Sequence, residues 1–585
     1  MTPLRRNLHV LAAVCILASA AIVYRSWTVQ VVEAEMWSTR ADRQIVRTIE
    51  EIPRRGSILD RSGEPIALSS TRYEIGIASR EVPGPEAMQA LKEDLEFVLG
   101  LSPAEIDRLT DASRTWAVVP GRYGIDTRLA LARHRGLHFL PQVSRVYPMG
   151  AISTPLLGRL GQDGQVFGGI ESRFDDLLSG TPGSTEVYTD VRGQTRRARG
   201  ERSTPAVPGQ DVHLTLDGHL QSAAERILLE AIEAHEAAGG DLVVLDPRTG
   251  EVLAIAAFDG RGNPTLSAVG VPFEPGSTIK PFAVAPLMDG GHLSWSDTVD
   301  AEGGDAIIDG RRLRDVARRG RIDMLEAFAV SSNIVLAKEV RNLSRESQYG
   351  ALKDFGFGAH TGIEVPGESA GLLRETDQWS GLSQASLAIG YEMSVTPIQL
   401  AAAYGAIAND GVLLRPTIVR SNGGSPDTAS HPLSRGVAED LRMGLAEVIE
   451  TGSGRNAGLA PYPFGGKTGT SRAWGAEGYD GYFASFAGVF PAEQPQVVII
   501  TRIIRPEVGG FYGGAVAAPI ARRLVEAILS QQNPFVEAKG LPLEVLKPWQ
   551  VQGSISGIEP PYRTREALWL NPSDPAGGPP LPIRP

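Results

Sequence analysis

Three short patterns occur in order along the 585-residue chain: Ser277-Thr278-Ile279-Lys280, Ser331-Ser332-Asn333 and Lys467-Thr468-Gly469-Thr470. Each carries a hydroxyl, amide or amine of the kind that acyl transfer needs. A serine and a lysine three apart share one helix face. Lys280, once neutral, is therefore the candidate base that makes the Ser277 hydroxyl a nucleophile. Lowering a lysine from ~10.4 to ~7.5 takes roughly 4 kcal/mol of destabilisation of its charged form. Burial and a second cation can supply it. Lys467 is the natural second cation, because two ammonium groups ~4 Å apart repel by about 4 kcal/mol at an effective dielectric near 20. Ser331 can relay a proton between base and leaving group, and the Asn333 amide can orient a substrate peptide through its donor and acceptor. Ser332 is expected to point away. A lone Ser-x-x-Lys is ordinarily a solvated pair and a lone Lys-Thr-Gly a turn, so it is the ordered set of three that carries weight.

Composition sharpens this reading. Of 57 basic residues only seven are lysine (Lys92, Lys280, Lys338, Lys353, Lys467, Lys539 and Lys547), and two of the seven fall in the motifs. Arginine cannot be deprotonated in a protein and lysine can, so lysine at 280 fits proton transfer better than a salt bridge.

The surrounding sequence has to position these groups. Glu274-Pro275-Gly276 breaks the chain just before Ser277, so a helix can begin there, with Pro281 tolerated in its first turn. The hydroxyl then sits at the positive helix end, beside free backbone N–H groups. Along a strand through the third motif, Lys467 and Gly469 face one way and Thr468 and Thr470 the other, and a twisted edge strand can bring them to one site. Gly469 is expected to allow close approach of a ligand, and the Thr470 N–H to complete an oxyanion hole with that of Ser277. Around the motifs, residues 212–216 alternate like a strand, 220–234 have helical spacing, and 241–256 read as two strands about the turn Asp246-Pro247-Arg248-Thr249-Gly250. A strand at 497–504 and a helix at 517–529 close an α+β unit, an antiparallel sheet covered by helices. Upstream lie a turn-rich segment at 53–63, a β-like run at 73–77, a mainly helical stretch at 84–138 and a second turn-rich block at 169–183. The Arg-rich loop 192–202, with Pro205 and Pro208, marks a domain boundary. Residues from about 570 onward are Pro/Gly-rich and expected to be disordered.

Bulk properties limit the partners. A net charge of −11 without any Lys/Arg-dense stretch leaves no electrostatic footprint for nucleic acid. The single cysteine, Cys15, excludes an internal disulfide and thiolate metal sites. His235-Glu236 begins a zinc-protease pattern, but Gly239 stands where the second imidazole belongs, so no metal site is expected. At the N-terminus Arg5 and Arg6 precede residues 8–24, 17 residues interrupted only by His9 and Ser19. As a helix that run reaches roughly 25 Å, enough to span a bilayer with flanking help. The basic flank favours an N-in orientation with everything after the helix outside. Ala18-Ser19-Ala20 would also serve as a signal-peptide cleavage site, but apolar residues continue past it to Tyr24, and a retained anchor is the reading taken.

The motifs, with Phe273-Glu274-Pro275-Gly276 ahead of Ser277 and Pro281-Phe282 after Lys280, resemble a class B penicillin-binding protein. Arg55-Gly56-Ser57-Ile58-Leu59-Asp60-Arg61 is similar to the family's N-terminal signature, and Gly169-Ile170-Glu171 with Phe174-Asp175 and Gly180-Thr181-Pro182-Gly183 to its pedestal motif. Ile389-Gly390-Tyr391 and Val395-Thr396-Pro397-Ile398-Gln399-Leu400 are similar to a later motif of the transpeptidase domain. Phe511-Tyr512-Gly513-Gly514-Ala515-Val516-Ala517-Ala518-Pro519 looks most like the division-type, septal members. The resemblance implies a penicillin-binding transpeptidase domain on an elongated N-terminal pedestal: a cytoplasmic stub (1–7), transmembrane anchor (8–25), pedestal (26–205), transpeptidase domain (206–535) and C-terminal tail (536–585).

It further implies a D-Ala-D-Ala stem-peptide donor, an acyl-enzyme on Ser277 with loss of D-alanine, and attack by an amine of a neighbouring stem peptide. Thr468, Gly469 and Thr470 would bind the donor, the two threonines taking its terminal carboxylate and Lys467 supplying positive potential. β-Lactams would acylate Ser277, and no cofactor is implied. With no glycosyltransferase-like segment ahead of the pedestal, a separate membrane glycosyltransferase and division proteins are the expected partners, at the cytoplasmic membrane with the catalytic domain outside. Residues 257–272 depart from the family, being short and Gly-rich where an Asn-Arg-containing approach is usual. Two other readings stay open: a DD-carboxypeptidase or β-lactamase-type hydrolase, and a non-catalytic divisome scaffold or β-lactam sensor.

Overall fold

The structure is a computed structural model that describes residues 3–37, 46–148, 154–161, 164–189, 195–197, 203–421, 424–475 and 478–530. The expected tail from 536 and the Pro/Gly-rich end lie outside these residues, as does most of the Arg-rich loop 192–202.

Helix α1 (Pro3–Trp27) continues through a π-turn, Thr28–Val32, and is long and apolar enough to cross a membrane. Leu8, Leu11, Ile16, Leu17 and Ile22 are all exposed along it, as a lipid-facing helix requires.

Strands β1 (Val46–Glu51), β2 (Ile58–Leu59) and β3 (Pro65–Ile77) open the next region. Helices α2 (Gly84–Leu99) and α3 (Pro103–Leu109), strand β4 (Ala117–Val118), helix α4 (Ile125–Leu131) and strand β5 (Leu137–Val146) follow. The stretch 84–138 is thus helical with a strand inside it and another beginning at its end. The helices bury Leu91, Leu95, Ile106 and Leu131 against Ile75 and Ile77 of β3 as a small core of their own. β3 pairs with β5 along ten positions, which stiffens this lobe. Helix α5 (Gly169–Arg173) leads to β6 (Gly183–Thr189), which pairs with β1 and with β7 (Ser203–Thr204).

Strand β8 (Val212–His213) pairs in parallel with β2, joining sequence on both sides of residue 205. The strand proper ends at His213, but hydrogen bonds to the β2 segment continue through the alternating run 212–216, Leu214 donating to the Leu59 carbonyl and Arg61 to that of Leu216, while Thr215 donates to the Ile418 carbonyl. Buried ion pairs hold the two N-terminal motifs together. Glu171, fully buried, accepts from Arg55 Nε at 2.8 Å and Arg145 Nε at 2.7 Å, and Arg55 also reaches Asp175 at 2.5 Å.

Helix α6 (Gly218–Ala234) is capped by Asp217. Strands β9 (Gly239–Leu245) and β10 (Val252–Asp259) start the second region, with α7 (Lys280–Asp289), α8 (Asn333–Glu339), α9 (Pro397–Ala408) and α10 (Arg435–Glu450) following. Strands β11 (Gly465–Gly475), β12 (Gly478–Phe490) and β13 (Val497–Ile504) and helix α11 (Ala518–Ser530) complete it. The five strands form one antiparallel sheet in the order β10-β9-β13-β12-β11. Its period-two alternation sends β9 residues to two cores. Leu242 and Val244 pack with α6 and α11, whereas Val243 and Leu245 pack with α9 and the helix that follows Ser277. Buried from end to end, α9 is entered through a capping box between Thr396 and Gln399. The expected sheet-and-helix unit is therefore present, with the Lys-Thr-Gly strand at its edge.

Candidate active site

Ser277 lies in the 3₁₀ turn Gly276–Ile279, and the α-helix proper begins only at Lys280. The sequence suggested an α-helix from 277. A 3₁₀ turn has three residues per turn and eclipses positions i and i+3, so it aligns Ser277 and Lys280 more directly. The turn is held from several sides. Gly276 donates to the Gly390 carbonyl at 3.1 Å, and Tyr404, buried in α9, donates its hydroxyl to the Thr278 carbonyl at 2.8 Å. Ser471 of β11 donates to the Glu274 carbonyl at 2.5 Å. Gly390 has φ +86°, and a Cβ there would meet the Gly276 carbonyl oxygen at 2.1 Å, so the backbones close up only because residue 390 is glycine.

Lys280 and Lys467 are fully buried and converge on one hydroxyl. Lys280 Nζ donates to Ser331 Oγ at 3.1 Å, to the Ser331 carbonyl at 2.6 Å and to Asn333 Oδ1 at 2.9 Å, while Lys467 Nζ donates to Ser331 Oγ at 2.8 Å. Ser331 has φ +63°, a left-handed conformation rare for a side-chain-bearing residue. That strained turn presents its carbonyl and hydroxyl to the same amine, a distortion typical of functional sites. Burial brings Lys280 down to about 7, against an opposing pull from Asp315. Burial, followed by the charge of Lys280, holds Lys467 well below the ordinary lysine range. The repulsion expected from sequence thus falls on Lys467, and desolvation accounts for the lowering of Lys280.

Ser332 points away from this cluster, as expected: it caps α8 by accepting from Val335 N and donates to Asp315 at 2.5 Å. Asn333 gives its Oδ1 to Lys280 and a side-chain N–H to the Arg314 carbonyl at 3.2 Å. One lone pair of its oxygen and one N–H are therefore engaged within the protein, which leaves one acceptor and one donor site for a substrate. Asp315, which no spacing in the sequence singles out, also accepts from Asn333 N at 2.6 Å and Ile334 N at 3.2 Å.

Ser277, Ser331, Asn333, Thr468 and Thr470 line one cleft of about 720 Å³, with Tyr482, Phe511, Tyr512 and Val316 among its other walls. Thr470 Oγ1 accepts from Gly513 N at 3.0 Å, and Thr468 Oγ1 lies 2.8 Å from Ser453 Oγ, a cleft hydroxyl that the sequence reading missed. Gly469 departs from its expectation. A Cβ there would meet Ser485 Oγ at 2.4 Å and the Pro275 carbonyl at 2.8 Å, so its missing side chain makes room for the Ser277 turn rather than for a ligand. The atypical 257–272 stretch is pinned by Arg502, fully buried, which pairs with Asp241 at 2.6 Å and donates to the carbonyls of Ser267 and Val271.

Residues 240–526 match the penicillin binding protein transpeptidase domain, and residues 50–214 the penicillin-binding protein dimerisation domain. The probable peptidoglycan D,D-transpeptidase PbpC of Pseudomonas aeruginosa is 31% identical over 541 residues, 89% of this chain and 94% of that one. The chain belongs to the class B penicillin-binding proteins. The likeness extends to the peptidoglycan D,D-transpeptidase FtsI of Escherichia coli K12, 28% identical over 88% of this chain and 90% of that one. Among solved structures, penicillin-binding protein 3 of Mycobacterium tuberculosis aligns with a TM-score of 0.63 at 28% identity, covering 83% of this chain and 98% of the other. That protein has also been crystallised with aztreonam and with ampicillin. The division type among class B members fits the matches to FtsI and to penicillin-binding protein 3.

Proposed function

We propose that the protein is a peptidoglycan DD-transpeptidase that cross-links stem peptides through an acyl-enzyme on Ser277 in septal wall synthesis. The observation that carries this reading is the convergence of Lys280 and Lys467 on Ser331 in the cleft that Ser277 also lines. In the first half-reaction, neutral Lys280 takes the Ser277 proton as Oγ attacks the penultimate D-alanine carbonyl. Backbone N–H groups of Ser277 and Thr470 hold the developing oxyanion. The C–N bond then breaks, and D-alanine leaves as its amine gains a proton through Ser331. In the second, an acceptor amine attacks the ester and gives up a proton along the same route, restoring the Ser277 hydroxyl. Thr468 and Thr470 bind the donor's terminal carboxylate, with Lys467 contributing positive potential.

On this reading the helix 8–25 is a retained anchor, Arg5 and Arg6 stay inside, and the chain beyond it is extracytoplasmic. Residues 26–205 act as the pedestal and 206–535 as the catalytic domain. A membrane glycosyltransferase supplies nascent glycan and division proteins recruit the chain.

The test is labelling of the detergent-solubilised full chain with a fluorescent penicillin, and mass mapping of the adduct. The expected result is a long-lived adduct on Ser277 that Ser277→Ala lacks. Rapid antibiotic turnover would point to a hydrolase instead, and full support of septation by Ser277→Ala to a scaffold.

A further inference from the structure

We propose that Asp315 is a positioning residue for the Ser277 reaction: it clamps the Ser332–Ile334 turn that presents Ser331 and Asn333 to Lys280, and sets a fixed negative charge beside that amine. The inference rests on the acyl-enzyme reading above and adds to it a residue outside the three motifs.

Asp315 follows the hairpin of Asp305–Ile308 and Arg311–Arg314. Its carboxylate takes three hydrogen bonds from consecutive residues: Ser332 Oγ at 2.5 Å, Asn333 N at 2.6 Å and Ile334 N at 3.2 Å. The preceding carbonyl, of Arg314, takes the Asn333 side-chain N–H. Two adjacent residues thus fix both the backbone and the amide plane of Asn333. Asn333 Oδ1 is thereby turned to Lys280 at 2.9 Å. With the turn tied down on that side, Ser331 keeps its left-handed conformation and its carbonyl 2.6 Å from the same amine.

The second part is electrostatic. Among the described residues, the groups that face Lys280 are Lys467 from β11, Asp315 from beyond the hairpin, and the neutral Ser331 and Asn333. Asp315 favours the protonated amine and opposes the burial that favours the neutral one. Asp315 therefore keeps Lys280 able to hold a proton between the two half-reactions while still able to give it up.

The experiment measures the rate of penicillin acylation of the full-length chain between pH 5 and 9. It compares wild type, Asp315→Asn, which removes the charge and keeps an acceptor, and Ser332→Ala, which removes the hydrogen bond to Asp315 together with the α8 cap and keeps the charge. The acid limb of Asp315→Asn is expected to move to lower pH by at least about half a unit. Ser332→Ala is expected to slow acylation with the limb in place. An unmoved limb in Asp315→Asn, with the wild type labelled normally on Ser277, overturns this inference alone. A wild type that forms no Ser277 adduct overturns the functional reading and this inference together. Should Asp315→Asn fail to fold, Asp315→Ser, which also removes the charge, gives the same readout.

Discussion

At the scale of single residues, the site depends on an amine that is basic enough to take a proton and buried enough to be without one. Lys280, held at about 7 by burial, is largely protonated below that value and largely neutral above it. Only the neutral form can accept the Ser277 proton, so the acylation rate is expected to rise with pH through about 7, measured by penicillin labelling across a buffer series. The apparent midpoint belongs to the Lys280–Lys467 pair, since the two amines share one hydroxyl. Lys280→Arg keeps the positive charge but cannot yield its proton. It is expected to slow acylation by about 10²–10⁴-fold, the usual range for loss of a general base, in a stopped-flow assay. That Ser277, the two lysines and the Ser-x-Asn pair gather at one cleft was legible in the sequence because residue type and spacing mark them out. Asp315 was not, because its role arises from a turn that brings it against residues 17 to 19 positions further on.

Among the elements, the edge strand β11 and the 3₁₀ turn at Ser277 are fitted through backbone contact, and glycines decide how closely they approach. Gly469 admits the Pro275 carbonyl, and Gly390 admits that of Gly276. Gly390→Ala would force a Cβ to within 2.1 Å of an oxygen at φ +86°. It is expected to cost about 1–3 kcal/mol of stability from the strained backbone alone, and to slow acylation as well, read by thermal melting and penicillin labelling of one preparation. The interleaved helices and strands after residue 218 were readable from hydrophobic period, since β9 and β13 are apolar runs bounded by turns. Less was readable where a pattern has two physical meanings. The stretch 84–138 mixes helices with β4 and the start of β5, and Gly469 as a ligand-facing glycine looks the same in sequence as Gly469 packed on a carbonyl. The start of α7 shifted for a related reason, because the 3₁₀ turn before it preserves the same i, i+3 face as an α-turn.

For the whole molecule, buried charge ties the N-terminal region together, and a short parallel ladder joins it to the strand that leads into the catalytic one. Glu171, with no exposure to water, pairs with both Arg55 and Arg145, and Asp175 supplies a second carboxylate to Arg55. Glu171→Gln would leave the buried Arg145 guanidinium without its counter-ion and Arg55 with Asp175 alone, and a loss of about 3–5 kcal/mol is expected, visible as a lowered melting temperature. The sequence displayed Arg55 and Glu171 as parts of two separate motifs; that one answers the other across 116 positions is visible only in the fold. The same clasp bears on how the chain is made. A ribosome delivers β2 long before its parallel partner β8, and the Ser57–Asp211 bond beside them spans 154 positions. Until that second strand emerges, the first has an open flank and its hydrophobic residues lack their cover. A nascent chain halted anywhere between the two would be a target for proteases and holdases, so the quality-control window of this protein opens at about residue 58 and closes only at about residue 213.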